Sequence, residues 1–245
     1  MTDDLRDFVP GGEFVPGDET RQYWIGGGRV MFGTDPVRGA DAETFRCFRN
    51  GFARDARRCY VVERRFDGPE PVGFRLLDYA YVTDGRGVWT LGGALPDADA
   101  ARLTVCDAGF VALPGGGRVP YGYAKDHQRV YYYDFDGRPV HVRKASPATF
   151  ASAHDGHFGR DDAAVFLGRA ALPRATPSTW RKVGPATSLY STDGTRIYYA
   201  NRRLAAADPA TFAVLDHPNQ LARDARHRWF TNLLTAEPEF EAPAR

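Results

Sequence analysis

Lysine is almost missing from this chain: of 32 basic residues only Lys125, Lys144 and Lys182 are lysine. Arginine's planar fork suits carboxylate and phosphate recognition, although coding bias is the simpler source of the imbalance. Cysteine is scarce as well. Cys47, Cys59 and Cys106 are an odd number at wide, unequal spacings, which fit no disulfide framework and no zinc pattern and imply reduced, mostly buried thiols. No apolar run approaches the ~20 residues that cross a bilayer. The acidic opening MTDDLRDFVPGGEFVPGDE lacks the basic head and apolar stretch of a signal peptide, so a cytoplasmic location without membrane contact is expected. Net charge is only +1, which gives the whole molecule no pull toward nucleic acid or anionic lipid. GxSxG, HExxH and CxxC are absent too, and with them the common signatures of a serine hydrolase, a zinc protease or a redox pair.

What is present is an ordinary globular composition over 245 residues, 43% hydrophobic and 26% charged, long enough to bury a sizeable core without metal or disulfides. The chain also repeats itself. An aromatic or large apolar residue is followed by Asp three positions later and a second aromatic five beyond that: Phe52, Asp55, Tyr60; Tyr81, Asp84, Trp89; Tyr123, Asp126, Tyr131; Phe158, Asp161, Phe166; Tyr190, Asp193, Tyr198; Leu221, Asp224, Trp229. A degenerate seventh copy is read ahead of these at Trp24, Gly27 and Phe32. β-branched residues predominate before the second aromatic, and segments such as DGRG (84–87), DHQR (126–129) and DGTR (193–196) supply turn residues between the arms. Each copy therefore reads as a β-hairpin, its Asp hydrogen-bonding turn amides.

Most hairpins are followed by a capping signature: DAETF (41–45), SPATF (146–150), TPSTW (176–180) or DPATF (208–212). Asp, Ser or Thr caps exposed amides, Pro takes the first helical position where no N–H is needed, and Phe or Trp closes against the core, which predicts one short helical turn. Successive aspartates lie 29, 42, 35, 32 and 31 residues apart, so the second gap carries an insertion near 106–120. The fold class expected is mainly β, an array of about seven β-hairpin repeats with short helical turns, either open and curved or propeller-like. One repeat domain over 21–235 is expected, between a loosely ordered segment 1–20 and a tail 236–245.

Candidate chemistry is thin. His154 and His157 flank Asp155 and could ligate a metal with a third ligand from elsewhere, but the segment AHDGHF reads better as a solvated turn. Asp134, Asp136 and Gly137 lack the final Glu of a calcium loop. The glycine runs 26–33 and 115–122 open no helix after a parallel strand and read as turns. Tyr121, Tyr123, Tyr131, Tyr132 and Tyr133 with Lys125, Arg129 and Arg138 could stack single-stranded nucleic acid, yet Tyr123 and Tyr131 are repeat core positions and alternation turns Tyr132 to the opposite face. RDARR (54–58) and RDARHR (223–228) read as solvated turns. No catalytic, metal or cofactor site is assigned.

The segment YAKDHQRVYYYDFDGRPV (123–140), followed by SPATF, resembles the DKNYY family: Lys125, Asp126, Tyr131 and Tyr132 match its motif, with His127 at a polar position and three extra residues before the tyrosines. Looser copies extend from Trp24 to Trp229, most without the lysine, which marks a packing motif rather than a reaction centre. The resemblance carries over no functional residues. It implies a non-enzymatic immunity protein, because proteins similar to this family occur beside genes for secreted antibacterial toxins. The expected partner is a cognate toxin, neutralised by steric occlusion; the alternative is a non-catalytic repeat scaffold binding a polysaccharide or another cellular protein. Asp107, Phe110 and Arg118 in the insertion are the first contact candidates, since the repeat does not use them, with the 63–74 connection second. If the toxin is a nuclease, Asp97, Asp99 and Asp107 are candidates to mimic phosphates.

Overall fold

The computed structural model describes residues 22–112, 117–135, 137–185, 188–216, 220–231 and 233–235. The expected terminal segments 1–20 and 236–245, the glycines at 115–116 and Asp136 lie outside the described residues. What is described is mainly β: antiparallel sheets of short strands, comprising one of three strands, six of four and one of two. The described residues divide into two compact units, with the boundary between His141 and Val142. The first holds the three-stranded 23–36 sheet, the four-stranded 46–66, 75–94 and 104–141 sheets, and the 110–120 hairpin; the second holds the 151–171, 181–204 and 213–235 sheets.

Each four-stranded sheet is one repeat. Its second and third strands are the arms of the sequence hairpin, as where Phe52 pairs with Val61, Ala53 with Tyr60 and Arg54 with Cys59. A strand of two residues, or four in the last sheet, flanks them on one side, and a strand of two or three residues on the other, joined by a tight turn in all but the 104–141 sheet. Because successive residues of a strand point to opposite faces, the first aromatic and the second aromatic of a copy face different neighbours. Phe52 and Cys59 pack forward with Phe74 and Val82 of the next repeat, while Ala53 and Tyr60 pack backward with Tyr23, Val30 and Phe45. Tyr81 and Val88 meet Ala124, Tyr131 and Tyr133 in the same way. In the second unit Phe158 and Val165 meet Trp180 and Tyr198, and Tyr190 and Ile197 meet Ala222 and Trp229. Burial on both faces explains why these short strands carry consecutive apolar residues, as in Val130–Tyr133, rather than strict alternation.

The first copy lies one residue earlier than the sequence spacing places it. Tyr23 pairs with Phe32 and Gly26 with Arg29, so Tyr23 is the counterpart of Phe52 and Gly26 that of Asp55. Gly27 and Gly28, both at positive φ, form the two-residue turn that glycine makes without a Cβ penalty. The capping signatures form single hydrogen-bonded turns, Ser146 O accepting from the amides of Thr149 and Phe150, and Phe45, Phe150 and Trp180 close them against buried core.

Candidate functional site

The repeated aspartates are polar hubs. Asp126 Oδ1 accepts the amides of Gln128 and Arg129 at 2.7 Å, and Oδ2 accepts the Asp99 amide at 3.1 Å and the Tyr131 hydroxyl at 2.9 Å. Asp55 does the same with Arg57, Arg58, Asp41 and Tyr60. Asp84, Asp161, Asp193 and Asp224 repeat the two turn amides and the one amide from the connection entering their own sheet. Burial alone raises a carboxyl's pKa. At Asp193 it is outweighed by the Thr195 amide and hydroxyl, the Arg196 guanidinium and the Thr176 amide, which together hold the carboxyl down at about 2. These carboxylates are engaged by amides of both segments, so their role is to fasten each turn to the connection beside it.

Chain direction puts that fastening at one end of every sheet. The turns between second and third strands and the connections between sheets lie there. At the opposite end are the connections between first and second strands and those between third and fourth. In the first unit this second end holds a recess of about 200 Å³, lined among others by Asn50, Val62, Tyr79, Leu91, Arg118 and Phe135. Val62 sits at φ 56° and Asn50 at φ 62°, left-handed conformations in which a β-branched side chain is strained. Asn50 Nδ2 donates to the Tyr79 carbonyl at 2.7 Å, which ties two of these connections together.

The insertion supplies one wall. Phe110–Ala112 and Arg118–Pro120 pair as a hairpin of their own, with Phe110 opposite Pro120 and Ala112 opposite Arg118. Phe110 and Arg118 are diagonal neighbours in that pairing, within reach of each other. The Arg118 guanidinium lies 4.6 Å from the Phe110 ring centroid and 5.9 Å from that of Tyr79, and the two rings meet edge to face at 5.4 Å. Phe135, 54% exposed, stands at the rim.

Below the hairpin lies a group that sequence reasoning missed. Asp78 Oδ1 accepts the Ala80 and Tyr81 amides at 2.8 and 2.7 Å, while its Oδ2 is buried without a hydrogen-bond partner among the described residues. A Cβ on Gly109 would come within 2.6 Å of that oxygen. In the second unit Asp155 repeats the pattern, accepting the His157 and Phe158 amides, but there Lys182 reaches the other oxygen at 2.5 Å. The recurring offset, Asp three before the first aromatic, is the signal that would have found both.

Of the contact candidates, Phe110 and Arg118 are brought together. Asp107 instead accepts the amides of Gly109 and Tyr123, and Asp99 caps Ala101 and donates its own amide to Asp126. Asp97 is a turn residue at φ 56° whose carbonyl accepts from Arg129 and Tyr131 and whose side chain is 78% exposed. The histidine segment is less solvated than its sequence suggests. Its Asp155 is covered by Lys182, and burial lowers the His157 pKa. None of the three cysteines is in a disulfide among the described residues; Cys47 and Cys59 are buried and Cys106 partly so, and burial pushes the Cys59 and Cys106 thiols up to about 12. Of the five clustered tyrosines, Tyr123, Tyr131, Tyr132 and Tyr133 are buried, Tyr132 against Tyr123 at 4.7 Å, which leaves them no open stacking face.

The DKNYY family profile matches residues 52–233. The chain belongs to the DKNYY family. The Asp126 and Tyr131 of its motif are the bonded pair described above, so in this DKNYY protein the motif builds the repeat. No curated protein and no solved structure matches the chain.

Proposed function

We propose that this DKNYY protein is a non-catalytic, cytoplasmic immunity protein that binds a cognate secreted bacterial toxin and occludes its active site or substrate entry. The observation that carries the reading is the inserted hairpin. It holds an arginine on two aromatic rings beside a recess, at the sheet end that the repeated aspartates leave free. Arginine and aromatic residues gathered around a concavity are the usual anchors of a protein interface. Phe110 and Arg118 are the proposed central contacts. Asp97 is the proposed acidic contact should the toxin be a nuclease, since Asp99 and Asp107 spend their carboxylates on main-chain amides.

Co-expression with the product of the neighbouring gene tests this reading, scored first by growth and then by co-purification. Rescue with a stable complex is expected, and loss of both with Phe110→Ala. A toxic neighbour that is neither rescued nor bound would refute it. A second recess of about 220 Å³ in the second unit, lined by Ser152, Arg160 and Trp180 among others, favours the scaffold alternative, in which an indole edge and a guanidinium hold a polysaccharide. Retention on a glycan array, abolished by Trp180→Ala, would favour it.

A further inference from the structure

We infer that Arg118 is an anchor for a carboxylate, and that the partner segment entering the first-unit recess carries an Asp or Glu side chain beside an apolar residue. The inference rests on reading the chain as a partner-binding protein and adds the chemistry of the contact. Arg118 is exposed, yet its guanidinium is held with its centre 4.6 Å from the Phe110 ring centroid. Stacking occupies the face of the guanidinium and leaves the N–H edge for an acceptor. Four arginines of the repeat give that edge to the fold: Arg58 to the Gly39 carbonyl, Arg129 to the Asp97 carbonyl, Arg160 to the Pro177 carbonyl and Arg196 to the Asp193 carboxylate. Arg118 makes no such bond among the described residues.

The surroundings select the occupant. Among the described residues no acidic side chain lines the recess, and its polar side chains besides Arg118 are Gln22, Asn50 and Tyr79. Asn50 already gives its amide to the Tyr79 carbonyl. Val62, Leu91 and Pro120 make an apolar floor, and Phe135 stands exposed at the edge. An arginine fixed before binding loses little side-chain entropy when an acid pairs with it, and an apolar rim that excludes water strengthens the pair. A basic segment meets an uncompensated positive charge. A nucleic-acid backbone needs several cations in a row, whereas among the described residues the recess offers one, in a chain of net charge +1. An acidic segment of a protein is the occupant that satisfies all of these terms.

Selection of random peptides displayed on phage against the full-length protein, followed by fluorescence anisotropy with the synthetic winners, tests the inference. The expected winners carry Asp or Glu next to an apolar residue. Arg118→Ala is expected to weaken them by about 30-fold and Arg118→Lys by about 5-fold, because lysine keeps the charge and loses the planar fork. Arg118→Gln, with its urea midpoint unchanged, shows that the loss is one of contact rather than of folding. Winners without a carboxylate, equal binding by Arg118→Ala, selection of no peptide, or displacement by inorganic phosphate or an oligonucleotide alone would each overturn it. If acidic peptides bind through Arg118 while a toxic neighbour is neither rescued nor bound, the toxin reading falls and this inference stands.

Discussion

The hydroxyl of Tyr131 sits 2.9 Å from Oδ2 of Asp126, so the two residues five positions apart in the repeat hold each other. The same pair joins Tyr60 to Asp55 at 2.6 Å. Each such carboxylate gathers amides from two connections that the strands alone would leave unfastened.

Asp126→Asn is expected to destabilise the chain strongly. The carboxylate accepts four bonds, and an amide has one oxygen and must turn N–H toward a donor, a loss of about 2–4 kcal/mol. Tyr131→Phe removes one donor and should cost about 1 kcal/mol. Urea midpoints of both variants and of the double variant measure the coupling; an Asp126→Asn protein as stable as the parent would refute the hub role.

Two carboxyls give stability opposite pH dependences. Asp193 is held at about 2 in the folded chain against roughly 4 when unfolded, so its contribution is full above pH ~4 and is lost as pH falls toward 2. Burial pushes the Asp78 carboxyl up to about 8 against the pull of the Tyr81 and Ala80 amides, and the Asp107 charge adds to the push. Its proton is bound more tightly in the folded state, so that contribution is full below pH ~4 and is lost as pH rises through 8. Asp78→Asn should flatten the decline between pH 5 and 8, as read from urea midpoints. An unchanged slope would place the proton elsewhere.

Lys182→Met should leave Asp155 buried without its cation. The two side chains are only 16% and 6% exposed, and removing one partner of a buried pair costs about 3–5 kcal/mol. Adding Asp155→Asn should recover a good part of the loss, because no net charge then remains buried. Thermal melts of the single and double variants provide the check, and a harmless Lys182→Met would contradict the burial argument.

Gly159→Ala tests how tightly the sheets are packed. A Cβ there would stand 2.4 Å from Phe150 Cζ, and Phe150 is itself buried. Overpacking of this kind costs about 1–3 kcal/mol. Phe150→Leu in the same chain should restore part of the lost stability, whereas rescue by a distant substitution alone would point to a backbone effect.

The repeat was legible because its chemistry is local: an Asp that binds amides two and three residues on must keep that spacing wherever the turn recurs. The insertion was legible as an excess in one gap between aspartates. The first copy was misplaced by one residue because glycine stands at the hub position and Trp24 offered a second aromatic beside Tyr23. The recess was not legible, since Asn50, Val62, Tyr79, Leu91, Arg118 and Phe135 come from separate connections that only the stacking of sheets brings together. Phe110 and Arg118 were reached by asking which residues the repeat leaves unused. Asp99 and Asp107 each accept an amide two residues on, from Ala101 and Gly109, the same local Asp-to-amide contact that the repeat uses.

Each hub aspartate draws its distant amide from the connection leading into its own sheet, as Asp55 does from Asp41 and Asp224 from Asp208. A duplicated or deleted copy therefore brings or takes its own clamp and strands no carboxylate in its neighbours. Gene-level growth and shrinkage of the array are thereby uncoupled from the divergence of loops at the opposite end, so lineages can vary copy number and loop chemistry independently.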